Sequence, residues 1–279
     1  MAKPKKIHHK TRDRSWKNSI LNNDRLKKSA LERSHDLLYG KHAVLSALAN
    51  PRRKISRLLL TTDTNSCFLE EIKKALSNGG HGEIKILTLD KKKFDSHLPE
   101  GAVHQGIALE AKALNCNLED IINQTAKNDE ATIIILDQAT DTQNIGSILR
   151  SAAAFNAAAV VIQDRNSPKT NGIIAKAASG ALEHVAIVRT TNLVRAIDKL
   201  KAADYWCVGL DGMANKTITE VRLPPRVVLV LGSEGKGLRR LTRQNCDILV
   251  KVPISKAIDS LNLSNAAAIA LYEKSRNEF

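Results

Sequence analysis

Residues 131–163, ATIIILDQATDTQNIGSILRSAAAFNAAAVVIQ, decide the fold. Two blocks rich in β-branched residues, Thr132 to Asp137 and Ala159 to Gln163, flank a stretch from Asn144 to Phe155 whose apolar residues recur at helical spacing. Neither block alternates apolar with polar, so both faces of each strand are buried, as in a parallel sheet covered by helices on two sides. The rhythm continues to the end of the chain. A helix near Asn171 to Ser179, a strand Val185 to Val188, a helix Asn192 to Ala203 and a strand Tyr205 to Gly209 follow. Then come a strand Arg226 to Leu231, a helix through Leu238 to Arg243, a strand Ile248 to Val252 and a final helix Ser260 to Arg276. This pattern predicts a doubly wound α/β domain over 130–279, with its ligand site at the carboxyl ends of the strands. No internal repeat is visible.

Upstream, Ile55 to Thr61 reads as a strand, Phe68 to Ser77 as a helix ended by Asn78-Gly79-Gly80, and Ile84 to Leu89 and Gly106 to Ala111 as further strands, with Leu87 on the buried face. Residues 37–112 are therefore expected to form a small α/β domain of their own. Residues 113–129 are polar, with at most a turn or two of helix around Leu118 to Ile122, and read as a linker. Residues 1–36 hold eleven Lys/Arg against four acids, half of the chain's net charge of +14. Such a segment has too little apolar surface to offset ordering entropy and is expected to be disordered alone. It is either a solubilising tail or an arm that contacts phosphates, and the further +7 on the remainder favours the arm.

Composition excludes several classes. No apolar run approaches the roughly 18 residues of a membrane span, and no apolar core of a signal peptide follows the basic start. Asp13, Asp24 and Glu32 count against a mitochondrial leader. Cys67, Cys116, Cys207 and Cys246 stand far apart, without CxxC or a nearby His pair, so no zinc site, other metal site or redox pair is expected, and reduced cytoplasmic thiols fit best. The nine aromatic residues are too few for a base-stacking RNA-recognition surface. Binding to nucleic acid would rest on phosphate contacts and shape. Lys41, His42, His104 and Gln105 are placed to touch RNA or simply to be solvated.

Three loops carry more than turn chemistry. In Asp137 to Arg150, Asn144 reads as a helix cap, Gly146 as a point of close approach, and Arg150, nearly two turns on, as lying near the face of Asn144. In Leu231 to Leu238, LGSEGKGL, three glycines after an apolar strand suggest backbone pressed against a ligand. The spacing matches neither a Walker loop nor a dinucleotide fingerprint. In Val252 to Asn265, VPISKAIDSLNLSN, Pro253 ends a strand and Ser260-Leu261-Asn262 opens the last helix. Taken singly, each is also a plain loop with a cap.

Together, NIGSILR, LGSEGKGL and VPISKAIDSLNLSNAAAIALYE, in this order, resemble the three motifs of the SpoU/TrmH family of RNA ribose 2′-O-methyltransferases, covering about 130 to 279. LYGKHAVLSAL (Leu38 to Leu48) and HQGIALEA (His104 to Ala111) resemble the substrate-binding domain of many members. Across both domains the likeness is to the members that methylate a guanosine ribose in 23S ribosomal RNA. The resemblance implies a deep trefoil knot in the parallel-sheet domain, an L30e-like fold for the small domain, S-adenosylmethionine as cofactor, and a homodimer whose site uses both subunits. It assigns cofactor contacts to Gly232, Val252 and Leu261, and catalytic roles to Arg150 with Asn144, Glu234, Asn262 and Ser264.

Methyl transfer to a ribose hydroxyl demands alignment above all, plus help with the departing proton. Arginine holds its proton with a pKa above roughly 12, so Arg150 is read as stabilising the developing alkoxide and a neighbouring phosphate, with Glu234 orienting it. By the same resemblance, Lys256 stands where many family members carry a small residue, and would contact RNA phosphate or narrow the cofactor entrance. The rival readings are methylation of transfer RNA and a non-catalytic RNA-binding ribosome-assembly protein. The joint presence of Asn144, Arg150, Glu234 and Asn262 disfavours the latter.

Overall fold

The structure is a computed structural model, and it describes residues 36–114, 116–165, 167 and 172–276. The basic segment 1–35 and the expected helix start at Asn171 lie outside the described residues. Two sheets organise the rest.

The first sheet has four strands: β1 (Asp36–Tyr39), β2 (Ile55–Thr61), β3 (Lys85–Leu89) and β4 (Ile107–Ala111), in the order β1-β4-β2-β3. β4 runs antiparallel to both neighbours, and β2 and β3 are parallel. Helices α1 (Lys41–Ala49), α2 (Ser66–Gly79) and the short α3 (Lys91–Asp95) accompany it. Asn65 caps α2 by accepting from the Phe68 N–H, and Gly80, at φ 60°, ends it in the left-handed region where glycine carries no steric penalty. Leu87 is half-buried over Phe94, as its alternation predicts.

Helix α4 (Leu118–Thr125) starts with a reciprocal capping box between Asn117 and Asp120. It occupies the stretch read as a linker, and it buries Leu118 and Ile121 in the core of the second sheet. Polar residues on its outer side hid that apolar edge.

The second sheet holds β5 (Ala131–Leu136), β6 (Ala159–Gln163), β7 (Ala186–Thr190), β8 (Trp206–Leu210), β9 (Lys216–Thr217), β10 (Arg226–Leu231) and β11 (Ile248–Lys251), in the order β7-β6-β5-β10-β8-β11-β9. Every pairing in it is parallel. β5 and β10 are almost wholly buried, which is why their sequences show no polar alternation. One face is covered by α5 (Thr142–Ala154), α6 (Gly172–Ala177) and α9 (Leu263–Ser275), the other by α4 and α7 (Leu193–Lys201), with α8 (Arg240–Gln244) at its edge. Asn192 caps α7 by accepting from the Arg195 N–H.

The two sheets share a core. Residues of β1, α1 and β2 pack in one cluster with residues of α5, α6 and β5. A Cβ on Gly172 would stand 2.2 Å from Tyr39, so the start of α6 lies directly on β1. Among the described residues no helix is long and apolar enough to cross a membrane.

Candidate active site

The carboxyl ends of β8, β10 and β11 open into a cleft of about 350 Å³. Its walls come from three stretches far apart in sequence: Leu210 to Met213, Leu231 to Gly237, and Val252 to Leu263. Apolar side chains of Leu210, Leu231, Val252, Leu261 and Leu263 meet the carboxylates of Asp211, Glu234 and Asp259 there. The volume falls within the roughly 300–1,000 Å³ of small-molecule sites. Gly232, Val252 and Leu261 all line this cleft.

The glycine-rich loop is a tight turn closed on itself. Ser233 N–H donates to Gly237 O at 3.1 Å and Gly237 N–H to Ser233 O at 2.9 Å. Gly235 (φ 78°) and Gly237 (φ 65°) occupy the left-handed region that L side chains avoid. A Cβ on Gly232 would lie 2.0 Å from the Gly237 carbonyl carbon. The close approach read at Gly232 is therefore to the loop's own backbone, while the residue still faces the cleft. Gly146 behaves likewise: its neighbour is Ala177 of α6, 2.2 Å from a built Cβ, so this glycine serves helix packing.

Two buried acids anchor these loops. Asp137, directly after β5 and 1% exposed, accepts from Arg239 N at 3.1 Å and Nε at 2.6 Å, pinning the end of the glycine-rich loop. Asp211, directly after β8, accepts from Met213 N at 2.9 Å, and Arg243 Nη2 lies 2.6 Å from its other oxygen, off the hydrogen-bond direction. Neither is evident in the sequence as a positioning residue. The signal was an aspartate closing an apolar strand, where burial demands a partner.

Beside the cleft, four of the five residues expected to be catalytic join in one network. Asn262 Nδ2 donates to Asn144 Oδ1 at 3.0 Å and approaches Glu234 Oε1 at 3.5 Å, and Asn144 Nδ2 approaches Glu234 Oε2 at 3.4 Å. Asn262 Oδ1 accepts from Ser264 N at 2.8 Å and Ser264 Oγ at 2.6 Å, which makes Asn262 the cap of α9. The long contacts to Glu234 are weak as hydrogen bonds, leaving an exposed carboxylate with capacity for a cation or a hydroxyl.

Arg150 stands apart. Helix α5 starts at Thr142 with Asp141 as its cap, accepting from Gln143 N, and Asn144 sits inside the first turn rather than at the cap. Six residues turn a helix by roughly 600°, which leaves Arg150 about 120° from Asn144 rather than on its face. Asn144 is accordingly buried and Arg150 exposed, with no partner among the described residues. Lys256 is exposed and does not line the cleft.

The sequence model of the SpoU rRNA Methylase family matches residues 131–272, and that for RNA 2′-O ribose methyltransferase substrate binding matches 37–116. The chain is 34% identical over 242 residues to the 23S rRNA (guanosine-2′-O-)-methyltransferase RlmB of Salmonella typhimurium, covering 86% of this chain and 98% of that protein. To the protein of the same name from Vibrio cholerae it is 35% identical over 246 residues, covering 87% and 97%. Its fold matches the SpoU methyltransferase AviRb from Streptomyces viridochromogenes, solved with AdoMet, at a TM-score of 0.74 and 19% identity over 88% of this chain and 92% of that one. An AdoMet-bound rRNA methyltransferase from Sinorhizobium meliloti matches at 0.72 and 22% identity, over 91% of each chain. Loops that meet at one cleft, a family model over half the chain and relatives matched along nearly their whole length lead to one conclusion: the chain belongs to the SpoU rRNA methylase family.

Proposed function

We propose that this chain transfers a methyl group from S-adenosylmethionine to a ribose 2′-hydroxyl, that of a guanosine in 23S ribosomal RNA. The observation that carries the reading is the convergence of three distant loops on one cleft, with the Asn144–Glu234–Asn262–Ser264 network at its side. The identity of the RlmB relatives supports the substrate.

The cleft suits the cofactor chemically. Apolar walls at Leu210, Leu231, Val252 and Leu261 accommodate a flat heterocycle, and carboxylates at its rim complement a sulfonium charge. When bound, the cofactor supplies the electrophilic methyl. Gly232, Val252 and Leu261 hold it through backbone and small apolar surfaces. Asp137 and Asp211 keep the loops in place and thereby fix the direction of transfer.

Glu234, oriented by two amides, receives a ribose hydroxyl or a guanidinium. Asn262 and Ser264 lock the start of α9, and Asn144 ties α5 to both loops. Arg150 stabilises the 2′-oxygen as its proton leaves, acting from the exposed face of α5.

That position accounts for a homodimer. Arg150 and Ala154 on α5, and Asn265, Ile269 and Tyr272 on α9, form one exposed band on two packed helices, with Tyr272 54% exposed beside Phe155. A second copy seated on this band would bring Arg150 to a site shared by two chains. The deep knot fits the path of residues 252–262, which rejoin beside the glycine-rich loop before α9 packs on α5. The mixed four-stranded sheet with α1 and α2 serves as the L30e-like substrate-binding unit. The boundaries 37–112, 113–129 and 130–279 describe its division of labour, with α4 fixing the middle segment to the parallel sheet. The enzyme works in the cytoplasm, on ribosomal RNA.

Tritiated S-adenosylmethionine incubated with the protein and total RNA from cells lacking it tests the reading. Label in a guanosine ribose of 23S RNA is expected. Label confined to transfer RNA overturns the substrate, and no label overturns the activity.

A further inference from the structure

A second cavity, of about 630 Å³, lies where the two sheets meet. It opens beside Ala158, just ahead of β6, and Ala186, the first residue of β7, and so at the amino ends of the parallel strands. The cleft of the proposed reaction lies at their carboxyl ends. A five-residue strand rises about 3.3 Å per residue, which puts roughly 16 Å of sheet between the two ends. The second cavity is not part of the reaction site.

Its lining is cationic. Arg52, Arg53, Lys54 and Lys112 line it, with Asp120 as the acid among the lining residues. The nearby acid Glu183 is held by Arg53. Lys54 and Lys112 are exposed, and their ammonium groups have no partner among the described residues. Lys54 O accepts from Lys112 N at 2.9 Å, so these two lysines sit side by side on adjoining strand ends.

The cavity is also pre-formed. Arg53, which lines it, pairs with Glu183 at 2.7 Å, the two side chains being 3% and 4% exposed, and Asn50 Nδ2 donates to the same carboxylate at 2.7 Å. Gly180 lies so close to Ser46 that a Cβ would approach Oγ to 2.3 Å. An occupant therefore does not have to bring the two sheets together, which removes part of the ordering cost of binding.

Residues 37–279 alone carry a net charge of +7, so the folded part itself suits a polyanion.

Resting on the reading of this chain as an RNA methyltransferase, we propose that the cavity between the sheets binds the phosphate backbone of an RNA segment remote from the methylated nucleotide. Lys54, Lys112 and Arg52 contact phosphates there. RNA is thus gripped at the end of the sheet opposite to the chemistry. Each phosphate contact releases condensed counterions and contributes roughly 0.7 to 0.9 to the slope of log affinity against log salt.

The test uses the full chain carrying Lys54→Ala and Lys112→Ala together, with Lys73→Ala and Lys74→Ala on α2 as a control of equal charge. Binding of the 23S fragment that the wild type methylates is titrated from 0.05 to 0.3 M salt. The double variant should lose about 1.4 to 1.8 of the salt slope and bind roughly 10- to 30-fold more weakly at 0.15 M. Its affinity for S-adenosylmethionine and its kcat at saturating RNA should match the wild type. A slope and Kd equal to those of the wild type, or equal losses in the control, overturn the proposal, as does a fall in kcat or cofactor affinity. The two readings fail separately: no methyl transfer by the wild type sinks the activity, whereas unaltered RNA binding in the variant sinks the cavity.

Discussion

The parallel sheet has two working ends, built on opposite principles. At the carboxyl ends, glycine-rich backbone and exposed polar side chains surround a cleft, and the contacts to Glu234 are 3.4 and 3.5 Å, loose for hydrogen bonds. At the amino ends, the Arg53–Glu183 pair is nearly sealed from solvent and carries an additional amide donor from Asn50. The first end keeps capacity unspent, which chemistry requires. The second commits its charges inward to hold two sheets together and leaves lysines outward. Stabilising charge pairs and the chemistry are thus separated along the strands, with β5 and β10 as a buried core between them.

Changes at the two ends should accordingly fail in different ways. The largest loss of stability is expected from Glu183→Ala, which strands Arg53 as an unpaired buried charge and should cost about 3 to 5 kcal/mol. Denaturant unfolding measures it, and under folding conditions cofactor affinity should stay unchanged. Loss of cofactor binding in a folded Glu183→Ala protein would show that the two ends are not separable. Gly232→Ala should do the reverse. The added methyl meets the Gly237 carbonyl carbon at 2.0 Å, so the loop must shift, at about 1 to 3 kcal/mol, and calorimetry should find cofactor binding abolished. Unaltered cofactor affinity would remove the loop from the site. Asn262→Ala loses a helix cap, worth about 1 kcal/mol, and frees Glu234 and Ser264 from their shared partner. Methyl transfer should fall more than melting temperature does; a change in stability alone would reduce Asn262 to a structural cap.

The smallest effect concerns thiols. Burial pushes the Cys207 and Cys246 thiols up to about 12, and neighbouring Asp247 adds to the shift. At pH 8 a thiol reagent should label exposed Cys67 readily while these two react only on unfolding. Rapid labelling of either would mean that the sheet beneath the cleft opens locally.

Much of this was legible in the sequence. β2, β6 and β10 fall at the residues read as strands; in β6 and β10 burial on both faces leaves a signal that does not depend on distant partners. β1, α1 and α3 went unread as elements: β1 has four residues, and α1 is apolar around most of its circumference and so shows little periodicity. α4 was underestimated because one apolar edge suffices to dock it. At the site, the loops 231–238 and 252–265 are visible in the sequence and line the cleft, whereas 137–150 reaches its edge only through Asn144, and the wall at Leu210 to Met213 has no sequence signal; their meeting is a property of strand order, which places β10 between β5 and β8. The face of Arg150 was misjudged by helical arithmetic, six residues being well short of two full turns. Asp137 and Asp211 looked like ordinary strand ends, since their partners Arg239 and Arg243 lie far along the chain.

The central claim is that the carboxyl-end cleft holds the cofactor while Arg150, on the helix beside it, acts only on the reacting oxygen. It is tested most directly by Arg150→Ala, assayed in parallel by calorimetry with S-adenosylmethionine and by methylation of a 23S fragment. Wild-type cofactor affinity is expected, with methyl transfer reduced by about 100-fold or more, as for loss of a group that stabilises a developing oxyanion. Methylation near the wild-type rate, or loss of cofactor binding together with activity, would contradict it.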